Sequence, residues 1–176
     1  MIAKILIIVA VVVVIFVAVV ALQPGEFRIS RSTTIAASPT AVFSLVNNFH
    51  SWAGWSPWAK LDPTMKTTYE GPAAGTGAAY SWTGNSKVGE GRMQILDSRP
   101  GEVVHIRLDF IKPFASTNSC VFTFAPNASG TEVTWTMSGR NNFMGKAFGL
   151  FMNVDKMVGG DFERGLAGMR AIAEKK

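Results

Sequence analysis

This chain of 176 residues has one cysteine, Cys120, and two histidines, His50 and His105. A single cysteine excludes an internal disulfide, so the fold does not depend on oxidation. Cys120 falls within an expected strand, where it reads as a small core residue rather than a nucleophile. Two distant histidines and one cysteine give no metal-ligand spacing, and neither a metal nor another cofactor is expected. The formal net charge is +5, but there is no run of like charge. Arg28, Arg31, Lys60, Lys66, Lys87 and Arg92 are scattered singly. Nucleic acid calls for a clustered basic patch and is not an expected partner. No G-x-S-x-G or H-E-x-x-H motif occurs. The segment from Gly139 to Gly145-Lys146 is one residue too long for a P-loop, and Ala147 stands where Ser or Thr would hold Mg²⁺. Asn127-Ala128-Ser129 is a glycosylation sequon, but its place between two strands is fully explained as a turn.

Charge is also missing from residues 5–22, ILIIVAVVVVIFVAVVAL, with Lys4 before them and Gln23-Pro24-Gly25 after. As a helix this stretch spans about 27 Å, close to the thickness of a bilayer core. Its many β-branched residues make a poor helix in water, whereas lipid leaves the backbone no other partner. The expectation is an uncleaved single-pass membrane anchor over residues 1–25 and one domain over 26–176. A cleavable signal ending at Val19-Val20-Ala21 is the rival, but the apolar core is long for one. Lys4 and the amino terminus favour an inside start, Arg28 and Arg31 on the other flank oppose it, and the slight balance puts the domain on the extracytoplasmic side.

The remainder alternates as strands do. Glu26–Ile35 carries Phe27, Ile29, Thr33 and Ile35 on one face, with Arg31 among them at a bulge or a pocket mouth. Further strands are expected at Met65–Glu70, Ala78–Thr83, Val88–Leu96, Glu102–Phe110, Ser116–Phe124 and Thr131–Gly139, separated by turn signals. In Glu102–Phe110, Val104, Ile106, Leu108 and Phe110 oppose His105, Arg107 and Asp109. That is an antiparallel sheet wet on one side. Ser38 caps and Pro39 opens a short helix that ends near Asn47-Asn48. Trp52, Trp55 and Trp58 follow in a Gly- and Pro-containing loop over residues 50–63, either closing the core or walling a ligand site.

Helical spacing returns over Phe143–Lys176, at Phe148, Phe151, Met152, Val158, Phe162, Leu166, Met169 and Ile172. Gly159-Gly160 interrupts the pattern, as a kink or as a point of close packing on the sheet. One long helix after many strands indicates an α+β fold, the helix laid on the apolar face of the sheet. Between them, Trp52, Trp55 and Trp58 from the loop join Tyr80, Trp82 and Met93 as candidate pocket residues. Phe110, Phe122, Phe124 and Trp135 extend that lining from the later strands, and Phe148, Met152 and Phe162 from the helix. The same residues would equally fill a solid core.

Six segments together resemble one known group. They are Ile35–Pro39, Trp52–Trp58, Gly75–Trp82, Val88–Met93, Phe110–Phe114 and Gly159–Leu166. As a set they resemble the SRPBCC superfamily, the START-like helix-grip group, in its polyketide cyclase/dehydrase branch. The resemblance spans about residues 27–174. It implies a seven-stranded antiparallel sheet gripping a long C-terminal helix over a deep apolar pocket. Members include lipid carriers, binders of hydrophobic metabolites and aromatase/cyclases, so the fold does not fix the function. The expected function is binding of a lipid or other hydrophobic small molecule beside the membrane, without catalysis. The alternatives are a cyclase or dehydratase using Tyr80, Arg31 or His50, and an interaction module that presents the tryptophan loop to a partner protein.

Overall fold

The computed structural model describes residues 1–175. Helix α1 spans Ile2–Ala21, with a mean hydropathy of 3.3, and is long and apolar enough to cross a membrane. Strand β1 (Glu26–Ile35) follows, then α2 (Pro39–Asn47). The Ser38 hydroxyl accepts from the Ala41 amide and Pro39 occupies the first helical position, which is why α2 begins there. The tryptophan segment forms two 3-10 turns, Phe49–Ser51 and Pro57–Lys60, around a single helical turn, α3 (Trp52–Trp55).

Six strands follow: β2 (Lys66–Glu70), β3 (Ala79–Thr83), β4 (Glu90–Arg99), β5 (Val103–Lys112), β6 (Ser116–Asn127) and β7 (Gly130–Arg140). All neighbours pair antiparallel, in the order β1-β7-β6-β5-β4-β3-β2. The expected faces of β5 hold: Val104, Ile106 and Leu108 are buried, while Arg107 pairs with Asp109 on the wet side. Strand β4 starts two residues later than the sequence suggests. Gly89 closes the preceding turn at φ +66°, a conformation that favours glycine.

The C-terminal region is two helices rather than one. Helix α4 covers Phe143–Phe151 and α5 covers Val154–Ala173. The break falls at Met152-Asn153, not at the glycine pair. Met152 is extended, and the Asn153 side chain accepts from the Lys156 amide, starting a new helix. Helix α5 then runs unbroken through Gly159-Gly160 and buries Gly159, so close packing is the role of that glycine. Strand β1 has no bulge at Arg31 either. Its register with β7 is continuous from Glu26–Arg140 to Ile35–Thr131. Arg31 shares a face with its partner Trp135 and reaches α5.

Candidate functional site

The sheet's inner face divides into a filled region and an open one. In the filled region the Trp135 ring on β7 stacks on Phe162 of α5, centroids 4.1 Å apart and planes within 6°. Trp55 and Trp58 meet Trp135 edge-on at 5.6 and 5.8 Å, and Phe122 lies 4.7 Å from it. Trp52 lies 4.6 Å from Trp55. The indole N–H groups of Trp52 and Trp55 donate to the carbonyls of Val46 and Leu45, tying the segment to α2. These tryptophans close the core. The approach of α5 depends on Gly165, where a Cβ would stand 2.8 Å from the Trp135 ring.

Towards the β2 edge a second aromatic group forms. Tyr80 stacks on Trp82 at 5.9 Å, Trp82 meets Phe110 edge-on at 6.1 Å, and Met93 is Tyr80's cross-strand partner. His50 stacks on Tyr69 at 3.8 Å, and Tyr69 lies against Tyr80. Phe124 packs edge-on against Phe43 of α2. Phe148 and Met152 stand apart from both groups, exposed on α4 and at its end.

The open region lies between the beginning of β1, the end of β7, and the α4–α5 corner. It is a cleft of about 630 Å³. Phe27, Ile29 and Met137 from the sheet and Leu150, Phe151 and Met152 from α4 and its end give it apolar walls, and Gly145 and Gly149 leave part of the facing side of α4 without side chains. A Cβ at Gly149 would meet nothing within 4 Å. Glu26, Arg28, Lys146 and Asp155 also border the cleft, beside Gln23 and Pro24 just after α1. Of the pocket candidates read from the sequence, only Met152 borders this space. Phe27 and Ile29 were legible as inward-facing, but their place beside a cleft depends on α4 standing clear of the sheet.

Of the polar groups raised as catalytic candidates, Arg31 is tied into the fold by ion pairs. Arg31 donates to Asp155 and Glu163, both at 2.9 Å, at two points along α5. Those hydrogen bonds raise the Arg31 pKa and hold the Asp155 carboxyl below its usual range. Burial, then the nearby Tyr69, pushes the Tyr80 phenol up to about 12, so it is neutral at pH 7. Burial likewise pushes the Cys120 thiol up to about 12, and its Sγ accepts from the Trp135 N–H at 3.0 Å. Among the described residues, no three His, Cys, Asp or Glu side chains form a group able to hold a metal.

Residues 26–174 match the family described as polyketide cyclase/dehydrase and lipid transport. The chain belongs to that family. Proteins of known structure share the fold at low identity. A crystal structure from Chromobacterium violaceum is 16% identical, covers 87% of this chain and 100% of its own, and superposes with a TM-score of 0.60. A protein from Nitrosospira multiformis is 18% identical over 85% of this chain and 97% of its own, with a TM-score of 0.58. The di-domain ARO/CYC BexL from the BE-7585A biosynthetic pathway is 15% identical over 91% of this chain and 54% of its own, with a TM-score of 0.66. No curated protein matches in sequence. The family match begins at Glu26, five residues after α1 ends at Ala21.

Proposed function

We propose that this member of the polyketide cyclase/dehydrase and lipid transport family is a membrane-anchored domain that binds a lipid or similar apolar molecule and catalyses no reaction on it. Residues 1–25 form the anchor and residues 26–176 the binding domain. The observation that carries this reading is the cleft. Its floor of Phe27, Ile29 and Met137 is apolar, its rim is charged, and it lies beside the end of an apolar helix. A few polar groups around an apolar concavity suit an amphiphile. The ion pairs that hold Arg31 against α5 support binding over catalysis. Of the aromatic and methionine pocket candidates, Met152 forms part of the wall of this site, Phe148 is exposed on α4, and the others hold the core of the domain or pack against it. A tether on α1 raises the local concentration of any ligand drawn from the membrane.

A photoactivatable diazirine fatty acid tests this on the full-length chain in mild detergent. Cross-links are expected in the peptides holding Phe27–Ile29 and Met152–Asp155. Cross-links confined to α1 overturn the assignment. The domain sits on the extracytoplasmic side, with Lys4 retained inside. Protease added outside intact cells is therefore expected to digest it, and complete protection refutes that placement.

A further inference from the structure

Helix α4 is apolar, buries none of its residues and carries one charge, Lys146. Phe143, Met144, Phe148 and Phe151 are all exposed, Phe151 by 77%. In water such a cluster of large apolar side chains carries a solvation cost, and contiguous patches of this kind mark contact surfaces. The occupant is indicated by what α4 already touches. The Lys146 ammonium donates to the Ala21 carbonyl at the end of α1, at 3.0 Å. The Phe151 ring stacks beside Phe16 of α1, centroids 6.4 Å apart. Moving from Lys146 to Phe151 therefore accompanies a move from Ala21 back to Phe16. Helix α4 runs antiparallel to the last turns of α1. Five residues of α-helix rise about 7.5 Å.

Given an α1 that spans a membrane, as proposed above, we infer that α4 enters the same leaflet from which α1 emerges, and that the cleft opens sideways to that leaflet. Lys146 stays at the headgroup level, against the negative end of the α1 dipole. Phe148 lies deeper and Phe151 deepest, at the depth of about 5–10 Å typical of interfacial helices. Gly145 and Gly149 border the cleft, Phe151 borders both the cleft and Phe16 of α1, and Phe143, Met144 and Phe148, exposed and outside the cleft lining, meet lipid. An acyl chain can then pass from the leaflet under α4 to Phe27, Ile29 and Met137 without crossing water. The leaflet thus covers the apolar surface of α4 and also supplies the ligand.

The test places an environment-sensitive bimane label at single introduced cysteines of the full chain. The chain is reconstituted in 3:1 phosphatidylcholine:phosphatidylglycerol vesicles with and without nitroxide-labelled lipid. Native Cys120 is buried and is left unlabelled under folded conditions. Labels at Val12, Met144, Phe148, Phe151 and Ser129 are compared. Ser129 lies in the β6–β7 turn, at the opposite end of β1 from the anchor. Val12 reports on the anchor itself. The expected result is quenching at Val12, a graded series Phe151 > Phe148 > Met144, and none at Ser129. Quenching at Val12 with Phe148 and Phe151 as unquenched as Ser129 overturns the leaflet inference and leaves the anchored carrier intact. An unquenched Val12 overturns both.

Discussion

The Arg31 guanidinium lies where a side chain at position 159 would have to go. A Cβ built on Gly159 collides with its Nη2, Cζ and Nε atoms. Arg31 crosses α5 at this glycine and pairs with Asp155 on one side and Glu163 on the other. The bare turn of helix and the arginine fit as one device joining β1 to α5. Elsewhere in an exposed helix interior, Gly→Ala is worth about 1 kcal/mol of stabilisation. Here Gly159→Ala must displace the Arg31 guanidinium and so disturb its pairing with Asp155 and Glu163. In the native background it is expected to give no stabilisation or a loss. In an Arg31→Ala background it is expected to stabilise by up to about 1 kcal/mol. Thermal unfolding of the four proteins of this double-mutant cycle measures the coupling. Equal effects in both backgrounds contradict the arrangement.

Phe162→Ala removes the ring stacked on Trp135 at the centre of the filled core. A loss of about 3–5 kcal/mol is expected, the range for truncating a buried Phe. Denaturant unfolding followed by tryptophan fluorescence checks it. A loss below about 1 kcal/mol would mean that the site is not close-packed.

Acid weakens the fold through two named carboxylates. Asp62 accepts from the Thr64 hydroxyl and the Asn85 and Thr64 amides, and these bonds lower its pKa. Asp155 is lowered by Arg31. Both groups bind protons more weakly when folded, so their stabilisation is fully present above the ordinary value of 3.8 and is lost as pH falls through the folded values. Melting temperature is expected to fall from about pH 4 downward. Asp62→Asn is expected to lower it at pH 7 and to flatten that acid limb. An acid limb of unchanged steepness would remove Asp62 from this role.

The Cys120 thiol, buried and with its pKa raised to about 12, is expected to resist alkylation by maleimide at pH 8 in the folded chain and to react on unfolding. Rapid modification without unfolding is the opposing result. It would also mean that the strand around Cys120 opens readily.

Most of the fold was legible because its signals are local. Alternation in Glu102–Phe110 sets which side chains face inward, and Ser38-Pro39 starts α2, both through neighbouring residues only. The superfamily resemblance and the seven-stranded sheet agree with the structure. The break in the C-terminal helix was not legible at its true place. Apolar spacing continues across Met152-Asn153, whereas the interruption comes from an asparagine acting as an N-cap, which sequence also permits inside a helix. Arg31 looked anomalous on an apolar face because its partners, Asp155 and Glu163, are remote in sequence. The cleft escaped for a similar reason. Ile29 and Met137 are core residues and Phe27 packs against the core, and the cleft reaches them only at the β1–β7 end beside α4 and α1.

The central claim is that this cleft holds an apolar ligand, and Gly149 offers the most direct control. A side chain there would enter open space beside the cleft, on a helix that loses nothing by giving up a glycine. Native mass spectrometry of the full-length chain released from mild detergent, followed by organic extraction, is the decisive measurement. The expected result is a one-to-one lipid or metabolite adduct on the native chain that is lost in Gly149→Trp, with melting temperature unchanged or raised. A bare mass for the native chain, or an adduct that Gly149→Trp retains undiminished, contradicts it.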